Sequence, residues 1–149
     1  MKPLASELIN PYSPKFSPDG SKIIFFSEED LFLIDTSGQN LMRLTNNNFP
    51  DKDACFSPDG SKIVFSSQRY DIHQNYELYV MQSDGSGESR LTIDSPDDDQ
   101  HVYTQDGAHI IYHSGQTIRI MDSDGSNSIN LLAESGISSA YSPVPRPFE

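Results

Sequence analysis

An all-β chain built from repeated four-stranded units is the fold class this sequence predicts, and three observations predict it. A ten-residue block, FSPDGSKIIF at residues 16–25, returns as FSPDGSKIVF at 56–65 and as YTQDGAHIIY at 103–112. A second block follows each copy: LFLIDTSG at 31–38, LYVMQSDG at 78–85 and IRIMDSDG at 118–125. No segment sustains a helical period, because Gly or Pro interrupts every candidate window. Self-similarity at a spacing of 40 and then 47 residues outranks any local signal and marks a repeat architecture.

Each unit reads as four strands in order. The first is aromatic and ends at Ser-Pro-Asp-Gly, where Pro presets φ and Gly supplies the positive φ of a tight hairpin. The second, residues 62–67 in the middle copy, is apolar almost throughout, as a strand covered on both faces must be. The third, residues 77–82, alternates long apolar side chains. Ser-Asp-Gly-Ser then turns the chain into a short fourth strand ending Arg90-Leu91-Thr92, with counterparts at Leu44-Thr45 and Leu131-Leu132.

Tandem four-stranded units of about 40 residues are propeller blades, which stack radially because a lone blade cannot cover both of its faces. Three blades are expected, at about residues 12–45, 53–92 and 100–132 of a single domain covering 1–149. Extra terminal strands are expected at about 3–8 and 137–142, the second closed off by the prolines of YSPVPRPFE, which reads as a genuine end.

The aromatic-Ser-Pro-Asp-Gly hairpin, the Leu-Tyr-apolar strand and the Asp-Gly-Ser turn together resemble the TolB-type β-propeller repeat, a relative of the WD repeat. The resemblance runs from about Tyr12 to Leu132. Copy three departs from it, with Thr-Gln-Asp-Gly in place of Ser-Pro-Asp-Gly, but keeps the Asp-Gly of the turn. What the resemblance implies is a protein-protein interaction role, exercised in the bacterial envelope, and a ring of six blades. Three blades close no ring, and an open stack would leave an apolar patch of roughly several hundred Å² at each end. A homodimer forming one six-bladed ring is therefore expected, its interface isologous and its terminal strands latched across the seams. The rival is a fragment of a longer propeller, such as the gating domain of a peptidase.

Charge narrows the partners. Asp and Glu number 22 against 10 Lys and Arg, a formal charge of −12, and the basic residues stand singly from Lys2 to Arg146. Such a surface repels phosphate backbones and anionic membranes, so no nucleic-acid partner is expected. No apolar run approaches the roughly 20 residues of a membrane span, so no membrane insertion is expected either. Cys55, the lone cysteine, excludes an internal disulfide and a multi-cysteine zinc site, and reads as a small buried hydrophobe. The opening MKPLASELINPYSPK has no apolar h-region; the expected compartment is the cytoplasm, or the periplasm if a leader has been removed.

Two regions carry candidate chemistry. Asp98, Asp99 and His101 enter the first strand of blade three, which in a propeller lines the channel; Asp98 falls opposite Asp51 and His101 opposite Ala54. Carboxylates and an imidazole converging there suit a divalent cation such as calcium or manganese. The alternative is a solvated acidic loop on the rim. The second region is the insertion after residue 67, where Tyr70, Asp71, His73 and Tyr76 read either as a contact surface of aromatic and polar groups or as an exposed hairpin tip with no role. Asp122-Ser-Asp-Gly-Ser-Asn127 opens like a calcium loop, but Ala133 stands where the twelfth-position Glu belongs, and hairpin geometry already explains the turn. His109 aligns with Lys22 and Lys62 as a surface substitution, and His113 aligns with Ser27 or Ser66 as an inter-blade polar group rather than a ligand. No G-x-S-x-G elbow and no phosphate loop are present. The expectation is a non-catalytic scaffold for a protein or peptide partner, needing no cofactor. Its alternative is a metal-dependent carbohydrate-active propeller similar to oligogalacturonate lyases, working through His101 and the acidic cluster.

Overall fold

The computed structural model describes residue 8 and residues 10–69, 75–93 and 96–133. The expected terminal strands lie outside the described residues, Leu8 apart. Twelve strands form among them: β1 (Tyr12–Phe16), β2 (Lys22–Ser27), β3 (Asp30–Asp35), β4 (Met42–Arg43), β5 (Asp51–Phe56), β6 (Lys62–Ser67), β7 (Glu77–Gln82), β8 (Ser89–Arg90), β9 (Asp98–Tyr103), β10 (His109–Ser114), β11 (Thr117–Asp122) and β12 (Ile129–Asn130). They pair as three antiparallel four-stranded meanders, β1–β4, β5–β8 and β9–β12, each in sequence order. These are propeller blades. The first strands of neighbouring blades meet one another whereas the fourth strands do not, so the sheets fan out from an inner edge made by β1, β5 and β9.

The hairpin between the first two strands is set by one aspartate. Asp59 Oδ1 accepts bonds from the Ser57 hydroxyl (2.6 Å) and the Ser61 amide (3.0 Å), while Gly60 N–H closes the turn on Ser57 O at 2.8 Å. These donors favour the ionised form, and the Asp59 carboxyl falls to about 2. Asp19 repeats the arrangement in blade one, and Asp106 repeats it in blade three with Thr104 supplying the hydroxyl.

Strand alternation sends successive side chains to opposite faces, and both faces of the middle blade are buried. Ile63, Phe65, Tyr79 and Met81 pack against Ile24, Phe26, Leu31 and Leu33 of blade one. Val64 and Leu78 pack the other way, against Tyr103, Ile110, Tyr112 and Met121 of blade three. That is why Ile63, Val64 and Phe65 are apolar in succession without alternation: both sides of that strand are interior.

A smaller latch repeats at each blade junction. Leu44, past the end of β4, presses on Gly85 in the β7–β8 turn; a Cβ there would come within 3.2 Å of the leucine side chain. Leu91 meets Gly125 in the same way, with its carbonyl oxygen 3.0 Å from where a Cβ would stand. Gly125 also holds φ at +90°, so both conformation and space demand glycine. Gly125→Ala is expected to destabilise the domain by about 2 kcal/mol, read as a lowered melting temperature.

The end blades show what the middle blade hides. On blade one, Tyr12, Pro14, Ile23, Phe25 and Ile34 line an apolar hollow of about 350 Å³ on the face turned away from blade two. On blade three, Val102 and Ile118 are 54% and 42% exposed on the face turned away from blade two. Leu131, the third latch leucine, is 46% exposed, and Gly38, the third latch glycine, has open space where its Cβ would be.

Candidate functional site

The inner strands share a kink that positions their side chains. Ser13, Asp53 and Gln100 occupy equivalent places in β1, β5 and β9, all at positive φ between 48° and 59°, and each lies where the pairing with the second strand slips. This is a β-bulge, and it separates the residues at the strand entrance from those further along. The entrance residues lie at the end of the blades opposite the Ser-Pro-Asp-Gly hairpins.

At that end Lys52 and Asp99, equivalent in the repeat, join across the junction of blades two and three with Nζ 2.8 Å from Oδ2. Asp99 Oδ1 also lies 3.2 Å from His113 Nδ1, and Lys52 Nζ sits 3.8 Å above the centroid of the Tyr76 ring. Burial works against the Lys52 charge, but the bond and charge of Asp99 outweigh it, and its pKa rises above the ordinary value. Tyr76 is held by its amide donating to Asp97 Oδ1 at 2.8 Å. Two of the expected site residues, Tyr76 and Asp99, are thus brought together through a lysine the sequence did not single out. Tyr70, Asp71 and His73 lie outside the described residues.

The other expected residues have interior roles. Asp51 is buried, with both carboxylate oxygens 3.1 Å from Arg69 Nη2; that guanidinium also pairs with Glu88 and lies over the rings of Phe65 and Tyr79. Asp98 is likewise fully buried. His101 points into the junction between blades two and three, where Nε2 donates to Val64 O at 3.1 Å and Nδ1 lies 3.4 Å from Ser66 Oγ. Burial brings its pKa down to about 4, so the ring is neutral. Among the described residues no three His, Cys, Asp or Glu lie close enough to hold a metal ion. Asp122 accepts bonds from Ser126 and Asn127 of its own turn.

A further recurring network escaped the sequence reading. Buried Glu77 pairs with Arg90 Nη2 at 2.9 Å and accepts from the Thr92 hydroxyl, whose oxygen receives the Leu78 amide. Asp30, Arg43 and Thr45 form the same set in blade one. In blade three the places are taken by Thr117 and Asn130, whose side chains bond each other. The signal was present: an acidic residue opening the third strand and Arg-Leu-Thr closing the fourth, twice over.

Comparison with known proteins agrees with this architecture. The family model described as the TolB beta propeller domain matches residues 2–146. No curated protein matches the chain. Among solved structures, the putative TolB from Agrobacterium tumefaciens superposes with a TM-score of 0.72 at 21% identity, over 83% of this chain and 50% of that one. TolB from Acinetobacter baumannii gives 0.66 at 23% identity, over 79% of this chain and 31% of the other. An oligogalacturonate lyase in complex with manganese gives 0.65 at 17% identity, over 80% and 35%. The chain therefore spans half or less of the length of these relatives, and identities this low speak for the fold alone.

Proposed function

Because the chain belongs to the TolB beta propeller domain family, we propose that it is a non-catalytic binding scaffold that completes its ring with a second copy of itself. The observation that carries this reading is the complementarity of its two ends. Every blade junction inside the chain buries the alternate face of one blade against the next and seats a leucine on a glycine. Blade three ends with the leucine side of such a junction, exposed Leu131 and Ile118, and blade one begins with the glycine side, Gly38 and the apolar hollow. The arc of three blades also follows half of the longer Agrobacterium protein, so two arcs suit one closed circle.

In such a ring the inner edge offers a partly exposed, mixed-charge surface, Lys52, Tyr76, Asp99 and His113, which suits a protein or peptide better than a nucleic acid given the net charge of −12. Light scattering at micromolar concentration is expected to return twice the chain mass. Ile118→Asp, on a face the chain itself leaves bare, is expected to weaken pairing roughly hundred-fold while the variant stays folded. A monodisperse wild-type protein at the mass of one chain would refute the pairing.

A further inference from the structure

The three blades serve as controls for one another, and one junction departs from the pattern. A cleft of about 450 Å³ opens between the hairpin ends of blades two and three, away from both bare faces. Its lining includes Asp59, Lys62, Tyr103, Asp106 and Ser123. Two of these differ from their repeat equivalents in ways that leave polar atoms unused.

The first is Lys62. Its counterpart Lys22 holds Asp35 at 2.7 Å, and His109 lies 3.5 Å from Asp122. Lys62 faces Gln82 across the same pair of strands, so the carboxylate that the other two blades provide is missing. Among the described residues its ammonium makes no ion pair or hydrogen bond, and it acts on Asp124 only at longer range. The second is Tyr103. The equivalent positions are Phe16 and Phe56, so only this junction carries a hydroxyl. Tyr103 is 7% exposed and its hydroxyl has no partner among the described residues. A buried hydroxyl left in that state is destabilising, and a ligand acceptor or donor reaching it removes that cost.

The remaining lining fixes the sign of the ligand. Asp59 and Asp106 are both held below the ordinary carboxylate range by the hydroxyl and amide donors of their own hairpins, so each is an ionised acceptor at neutral pH. A bare anion drawn to Lys62 meets their repulsion. A molecule carrying a carboxylate for Lys62 and an ammonium for Asp59 and Asp106 meets none.

We propose that this cleft is a binding site for a small zwitterion, an α-amino acid or the two termini of a very short peptide, with Lys62 and Tyr103 taking the carboxylate end. The site lies within one chain, so it does not depend on ring closure. The test is a titration of the full-length, isotope-labelled protein by two-dimensional amide NMR with four probes: L-alanine, L-alanyl-L-alanine, acetate and ethylammonium. Shifts confined to residues 57–62, 103–107 and 123, saturating in the millimolar range with alanine or the dipeptide, are expected; which of the two binds tells a free amino acid from a chain terminus. Acetate and ethylammonium alone are expected to bind at least roughly ten-fold more weakly. Lys62→Gln is expected to weaken the zwitterion roughly ten-fold with an unchanged melting temperature, and Lys22→Gln in the sister junction is expected to leave binding unaltered. Tyr103→Phe, which restores the residue type of the other blades, is expected to fold at least as stably and to bind more weakly. Absence of shifts at those residues with either zwitterion overturns the proposal, as does acetate binding as tightly as alanine.

Discussion

Asp51→Ala is expected to destabilise the domain by about 3–5 kcal/mol, because it leaves the guanidinium of Arg69 in the interior without its main counter-charge. Arg69 cannot retreat to water. Its side chain is 8% exposed and lies over Phe65 and Tyr79, with Nε committed to Ser67 Oγ at 2.8 Å. Glu88, one-third exposed, compensates only in part, since solvent screens it. Urea denaturation at neutral pH measures the loss. Replacing Asp51 and Arg69 together by Val and Met is expected to recover most of it, because two buried charges and their desolvation disappear at once. A double variant as unstable as Asp51→Ala would mean that the aspartate acts through something other than Arg69.

The second large effect is acid sensitivity centred on His101. In the folded chain burial brings its pKa to about 4, whereas the unfolded chain restores the ordinary 6.5. Between those values the unfolded state takes up a proton that the folded state refuses. The stability owed to the neutral ring is therefore complete above about pH 6.5, drains away as pH falls, and is gone near pH 4, a loss of about 3 kcal/mol. His101→Gln, which keeps polar atoms near Val64 O and Ser66, is expected to flatten that interval of the stability-pH curve. Asp19 and Asp59 run with the same sign in a lower window: depressed to about 2, they lend stability above the ordinary carboxylate range that disappears as pH drops towards 2. Unfolding midpoints followed from neutral pH to pH 2 for wild type and His101→Gln separate the two windows.

The blades were legible because a blade is written in short-range chemistry. Pro18 and Gly20, or Pro58 and Gly60, announce a hairpin, and the unalternating apolar run at 63–65 announces a strand with no wet side. Tyr76 and Asp99, singled out at an insertion and at a strand entrance, are joined in the structure through Lys52. What stayed hidden depended on direction. His101 and Asp98 stand on the inner strand as expected, but the bulge at Gln100 separates them, and the imidazole enters the junction. Asp51 looked like a channel carboxylate because nothing in the neighbouring sequence says that Arg69, eighteen residues on, folds back over it. Lys52 was overlooked because a lysine among polar residues carries no local mark of a partner 47 residues away.

The kink shared by β1, β5 and β9 bears on more than side-chain placement. Each of these strands forms the longer of the two open borders of its sheet, with backbone groups that a foreign strand could copy. One surplus residue per strand, at Ser13, Asp53 and Gln100, spoils the even spacing that stacking into fibrils requires. The same irregularity therefore doubles as protection against aggregation at the inner border of every sheet, while the outer border is a strand of only two residues, too short to template another.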